Sequence, residues 1–185
     1  MNGAGRDRLK AACITVLGSG HLRPAPGSWG SLTAAGLFAG LWWLAAALQA
    51  PPWIADVIIA LLGILFASWL SVRWGAWALA RYGGSDPREF VLDEFAGQWV
   101  ALLWLPPVAG LGPWAFICVV GGQFLLFRIL DIIKPPPARQ MERWPAGWGV
   151  LCDDLMSGFY ALVAGQLLWR LSPLAAWLGL QASRV

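Results

Sequence analysis

Five of the ten acidic residues in this 185-residue chain fall in three groups: Asp93-Glu94, Asp131 and Asp153-Asp154. Each group stands where a hydrophobic segment begins or ends, so its charges must be hydrated, paired or bound to metal. The plain use of such pairs is helix capping, because a helix N-terminus favours negative charge. Two pairs and a fifth carboxylate at one membrane face, however, repel one another unless a cation joins them. Hard oxygen ligands that leave room for water are what Mg²⁺ takes.

Basic partners lie close by. In FRILDIIKPPP, Arg128, Asp131 and Lys134 are spaced i, i+3 and i+6, which places Arg128 beside Asp131 and Asp131 beside Lys134 on one helix face. Such a ladder is either a surface ion-pair array with a snorkelling lysine or a phosphate clamp beside a metal ligand. Pro135-Pro136-Pro137 then stops the helix. Upstream, the loop from Gly18 to Ser31 leads into a helix whose start, near Ser28 to Ser31, is suited to an anion. It lacks the GK[ST] of a Walker A loop, and its plain reading is a flexible lead-in to a span. Glu142, beyond the prolines, is expected to join the site or to pair with Arg139 in the loop.

Phosphoryl chemistry is narrowed by what is missing. His21 is the single histidine, so phosphatases that need two are excluded. Cys152 has Gly158 where a CxxxxxR loop needs arginine, and no DxDx[TV] signature occurs. Metal-assisted attack by water, with a carboxylate as base, is what remains.

The elements that position these groups are hydrophobic helices. Charged residues make up only 12% of the chain, against about 25% in soluble domains, while apolar residues reach 58% and mean hydropathy is +0.61. Fourteen tryptophans exclude a disordered chain, although glycine and proline are abundant. The net charge of +3 is dispersed between apolar segments, so no nucleic-acid partner is expected; an anionic membrane surface explains it better. Cys13, Cys118 and Cys152 form no CxxC pair, and neither disulfides nor zinc is indicated.

A span needs roughly 20 apolar residues. Residues 31–49 and 53–72 qualify, joined by Pro51-Pro52, with Asp56 the sole charge of the second. Residues 95–106 and 113–127 read as a helical hairpin around a turn at 106–113, its first arm either incomplete or tilted, and 155–169 as the last span. Trp74 to Arg81 either continues the second helix or lies on the membrane surface. The start of the chain resembles a signal peptide, but its apolar run, 11–17, is too short and is followed by a Gly/Pro-rich loop. With the N-terminus in the cytoplasm, segments 1–30, 73–94 and 128–154 are internal and hold eleven of the 13 basic residues, as the positive-inside rule requires. They also hold every acidic residue but Asp56. The expected fold is all-α: a single-domain polytopic bundle of four or five hydrophobic helices with its catalytic loops on the cytoplasmic face.

Four segments, PAPGSWGS (24–31), DEFAG (93–97), FRILDIIKPPP (127–137) and GWGVLCDDLMSG (147–158), resemble in order the PGTxGS, DExxG, FRxxDxxKPxP and GxGxMxDDxxAG motifs of the phosphatidylglycerophosphatase A family. Ser28, Leu151 and Ser157 stand where that family often has Thr, Met and Ala. The resemblance implies a Mg²⁺-dependent hydrolase of the bacterial inner membrane that removes the terminal phosphate of phosphatidylglycerophosphate. By position it implies metal and catalytic roles for Asp93, Glu94, Asp131, Asp153 and Asp154. It implies phosphate binding by Arg128 and Lys134; Ser28 and Ser31, at the helix start, and His21, in the loop before it, where the family varies more, are further candidate phosphate contacts. Water or an aspartate (Asp131 or Asp153) is the nucleophile. The rivals are a phosphatase for another lipid phosphate, such as phosphatidic acid or a polyprenyl phosphate, and a small cation transporter. A CDP-alcohol phosphotransferase is disfavoured because its DGxxAR pattern is missing.

Overall fold

The structure, a computed structural model, describes residues 3–84, 86–106, 108, 112–145 and 147–180. It is all-helical, with no strand among the described residues. Helix α1 covers Gly3–Ile14, α2 Pro26–Ala47, α3 Pro52–Tyr82, α4 Leu92–Ala101, α5 Pro113–Ile133, α6 Ala138–Met141, α7 Gly147–Leu171 and α8 Pro173–Trp177. Proline opens α2, α3, α5 and α8, where its missing N–H is one the helix leaves unpaired anyway.

Three helices, α2, α3 and α5, are long and apolar enough to cross a membrane. Trp74 to Arg81 proves to be a direct continuation of α3, whose 31 residues extend about 46 Å and overrun a hydrocarbon core of about 30 Å. The run 95–106 is the incomplete arm of its hairpin. Only ten residues, α4, are helical, about 15 Å, so this element enters the bundle without crossing it. Residues 107 and 109–111 of the expected turn lie outside the described residues. The last long helix begins eight residues before Leu155, at Gly147, so that Asp153 and Asp154 stand in its second turn rather than at its N-terminus.

Packing follows membrane rules rather than soluble ones. Large side chains such as Leu62, Leu65, Phe66, Trp69, Ile117 and Leu125 face outward, whereas Ala34, Ala60, Ala67, Ala96 and Ala161 are buried. Small residues let helices approach closely where lipid supplies no hydrophobic drive between them. Bulky groups fill the notches that glycines leave: Trp99 against Gly63, Trp169 against Gly122 and Gln123 against Gly165. The Trp99 indole N–H also donates to the carbonyl of Ala34 at 2.8 Å, tying α4 to α2.

Short α4 is wrapped by α7, α3 and α2. Because its lower end stops inside the bundle, the peptide groups that follow must find partners in protein. Asp56 supplies one by accepting from the Leu105 N–H, and Arg170 donates to the carbonyls of Trp104 and Leu105 at 3.3 and 3.5 Å. This gives the buried Asp56 a structural use.

Candidate active site

The site is assembled where four helix ends meet. Asp93 and Glu94 occupy the first turn of α4, but they do not cap it: Val91 is the N-cap, and the Asp93 carboxylate accepts only from the Glu94 N–H, at 2.9 Å, among the described backbone groups. Both side chains turn inward instead, toward Asp154 on α7. One oxygen from each of Asp93, Glu94 and Asp154 lies within 4.8 Å of the other two. α4 and α7 reach this proximity because Gly97 and Gly158 face each other's helices; a Cβ on Gly97 would lie 2.5 Å from the Asp154 carbonyl oxygen.

Such crowding is electrostatically expensive without a cation. Burial first, and the neighbouring Glu94 charge second, hold the Asp93 carboxyl well above the usual carboxylate range. Burial and then Asp131 do the same to Asp154, and burial pushes Glu94 up to about 7. Glu94 Oε2 is buried with no hydrogen-bond partner. Three hard oxygens from two rigid helices, with a buried Glu94 oxygen left without a hydrogen-bond partner, suit a hydrated divalent cation.

Beside the carboxylate triad stands a basic group. Arg128 Nη1 lies 2.8 Å from Asp131 Oδ2, the i, i+3 pair expected from the sequence, and donates to Ser31 Oγ at 3.3 Å. Ser31 in turn donates to the Gly27 carbonyl at 2.9 Å. Gly27 is the reason the start of α2 fits here: a Cβ would strike the Glu94 carboxylate and come within 3.1 Å of Arg128 Nη2. Asp131 is within hydrogen-bonding reach of Asp154, so the Arg128 guanidinium, the triad and the N-terminus of α2 form one cluster of charge.

The family profile described as Phosphatidylglycerophosphatase A matches residues 12–169, a stretch that contains every one of these groups. The chain belongs to the phosphatidylglycerophosphatase A family. It is 32% identical over 154 residues to "Phosphatidylglycerophosphatase A" of Haemophilus influenzae, an alignment covering 79% of this chain and 80% of that one. Identity with the protein of the same name from Escherichia coli is 33% over 142 residues, 76% and 72% of the two chains. A Bacteroides thetaiotaomicron relative named "Putative phosphatidylinositol-3-phosphatase" is 34% identical over 149 residues, 80% and 86% of the two. No solved structure matches the chain. Membership makes this protein a phosphatase.

In this phosphatidylglycerophosphatase A family member, the remaining site residues divide. Lys134 does not extend the helical ladder. It is the C-cap of α5, with φ of 47°, and this left-handed turn carries its ammonium to Asp153 Oδ2 and Glu142 Oε1, each at 2.5 Å. Burial works against the lysine's charge, but the bonds to Asp153 and Glu142 outweigh it and raise its pKa. Asp153, lifted to about 6 by burial despite Lys134, therefore faces the lysine while its neighbour Asp154 faces the triad. Of the two uses expected for Glu142, the structure shows a pair with Lys134 rather than with Arg139.

His21 is placed apart from the triad. It lies edge-on to Tyr82, 6.2 Å between ring centres, and lines a cavity of about 330 Å³ with Arg23, Arg88 and Glu89. Ser28 sits half-buried in the first turn of α2, next to Gly27. Asp86, absent from the sequence-based candidates, acts electrostatically on Lys134, Asp131, Asp93 and Glu94 from the loop after α3. No spacing pattern in the sequence points to it.

Proposed function

We propose that this chain hydrolyses the terminal phosphomonoester of phosphatidylglycerophosphate, giving phosphatidylglycerol and phosphate, with Mg²⁺ held by Asp93, Glu94 and Asp154. The observation that carries the reading is the convergence of those three carboxylates within 4.8 Å beside Arg128. Bound there, Mg²⁺ supplies Lewis-acid stabilisation of phosphoryl oxygens and a lowered pKa for a coordinated water. Arg128 neutralises charge that builds on the phosphoryl group, its guanidinium held in place by Asp131 and Ser31. The N–H groups at the start of α2, around Ser28, add donors for the same anion.

Asp131 is the carboxylate outside the triad that still touches it, and it is the group placed to accept a proton from attacking water. The same position suits an aspartyl-phosphate route with Asp131 as nucleophile. Lys134 and Asp153 act one layer further out, fixing the turn after α5 and the second turn of α7. The diacyl tail stays in the leaflet while the headgroup reaches the carboxylates, so the site belongs at the cytoplasmic face of a bacterial inner membrane, where the basic residues concentrate.

The Bacteroides relative's name supports a second reading, a lipid phosphomonoester on an inositol ring. The two share all the chemistry above and differ in the headgroup. Phosphate release by the purified chain from phosphatidylglycerophosphate, phosphatidylinositol 3-phosphate and phosphatidic acid, each with and without Mg²⁺, tests the choice. Preferred hydrolysis of phosphatidylglycerophosphate is the expected result; preference for either other lipid moves the substrate, and release without Mg²⁺ overturns the metal assignment.

A further inference from the structure

A second polar constellation lies at the same end of the bundle as the carboxylates. The Val91 N–H donates to the Ile14 carbonyl at 3.1 Å, which ties the end of α1 to the start of α4. α1 packs on α3, whose C-terminal part overruns the hydrocarbon core. Between these two helices opens a cavity of about 620 Å³ lined by Arg6, Asp7, Lys10, Arg73, Trp74 and Trp77. None of these residues takes part in the carboxylate site.

Its depth and chemistry are informative. Counting roughly 20 residues of α3 from Pro52 to cross the hydrocarbon core places Arg73, Trp74 and Trp77 in the first turns beyond it, at headgroup level. Tryptophan favours that zone. Three cations face one carboxylate there: Lys10 lies 3.5 Å from Asp7 and 5.2 Å above the Trp77 ring, while Arg6 and Arg73 are exposed. Leu9, half exposed, adds an apolar wall to the same cavity. Excess positive charge, interfacial indoles and an apolar edge complement a lipid that is anionic at its head and greasy below.

We propose that this cavity is a binding site for an anionic diacyl phospholipid of the surrounding leaflet, with Arg6, Lys10 and Arg73 holding the phosphodiester and Trp74 and Trp77 packing at the glycerol level. A zwitterionic lipid carries the same phosphate but brings a cation that the three basic groups repel. The site rests on the chain being embedded in a membrane and is independent of which lipid the carboxylates hydrolyse.

Native mass spectrometry of the full chain in detergent, titrated with phosphatidylglycerol or phosphatidylcholine, tests this. The Asp154→Asn variant, run in parallel, removes a carboxylate from the hydrolytic site and leaves the cavity whole. The expected result is a tightly retained phosphatidylglycerol on both the unaltered chain and Asp154→Asn. It should be lost from Arg6→Gln/Lys10→Gln/Arg73→Gln, on the order of 100-fold weaker for three charges removed. Arg73→Gln alone should weaken retention about 5-fold and carries the test if the triple variant does not hold its fold. Equal retention of phosphatidylcholine, or retention unchanged by these substitutions, overturns the proposal. Inorganic phosphate displacing the lipid at millimolar concentration would make this a free-anion site and overturn it as a lipid site.

Discussion

Gly97 on α4 and Asp154 on α7 touch backbone to backbone: a Cβ on Gly97 would sit 2.5 Å from the Asp154 carbonyl oxygen. Through this contact, and its counterpart at Gly158, the helices carrying Asp93-Glu94 and Asp154 are fixed close enough for three carboxylates to converge. The glycine is thus as much a part of the site as the acids.

Gly97→Ala should therefore damage both stability and activity. Overpacking of this kind costs about 1–3 kcal/mol, and the Asp154 carbonyl is backbone that cannot swing aside. Thermal unfolding in detergent and phosphate release measured on the same preparation check this. A variant as stable and as active as the original chain would contradict the packing argument.

Neighbouring aspartates should behave differently. Asp154→Asn removes a triad ligand and should abolish Mg²⁺-dependent hydrolysis with the fold retained. Asp153→Asn strips Lys134 of its buried partner and should lower the unfolding temperature while leaving the Mg²⁺ concentration dependence in place. Titrating phosphate release against Mg²⁺ for the two variants separates them.

Lys134 is expected to matter mainly for stability. Lys134→Met leaves the 3%-exposed Asp153 side chain unpaired, and breaking such a pair costs about 3 kcal/mol. Adding Asp153→Leu should recover part of the loss, which a double-mutant cycle of unfolding temperatures would show. No recovery would place Lys134 at the phosphate instead.

Arg128→Lys keeps the charge but cannot hold Asp131 and Ser31 and face a phosphoryl group together. A fall of about 100-fold in the rate of phosphate release is expected, with little change in unfolding temperature.

The site also sets a pH dependence of stability. Asp93, Glu94, Asp153 and Asp154 all have pKa values raised above the ordinary carboxylate range, chiefly by burial, with Glu94 near 7 and Asp153 near 6. Between about pH 4 and 7 the folded chain therefore binds more protons than the unfolded one, so metal-free stability falls as pH rises through that window. Mg²⁺ binds the ionised carboxylates and should remove most of the fall. Unfolding temperatures at pH 5 and pH 8, with Mg²⁺ or without it, read this out; a metal-free chain that gains stability toward pH 8 would contradict it.

Much of this was legible in the residues. The four motif segments come together in the fold, and the i, i+3 spacing of Arg128 and Asp131 is realised as an ion pair. The partition of Asp153 and Asp154 was not legible, because adjacent helical residues point about 100° apart and only the helix's rotation decides which faces the triad. The early start of α7 was not legible because Gly147 and Gly149 are poor helix formers. In the fold they pack against the Ser71 carbonyl of α3 and the Glu142 and Trp144 carbonyls, so tertiary contact overrides local preference. The hydrophobic run 95–106 is too short for an upright span, but where its helix stops was not legible: it ends at Ala101 because Trp104, with φ of 58°, and the contacts from Asp56 and Arg170 turn the chain inside the bundle. Asp86 and the Lys134–Glu142 pair depend on loop paths that no periodicity records.

The most direct test of the metal triad is Mg²⁺-dependent phosphate release from phosphatidylglycerophosphate by the chain and by Asp93→Asn, Glu94→Gln and Asp154→Asn, each with its helical content verified. Loss of release in all three variants, with the fold intact, is the expected result. Release at the original rate and with the original Mg²⁺ dependence in any one of them would show that the three carboxylates do not act as one site.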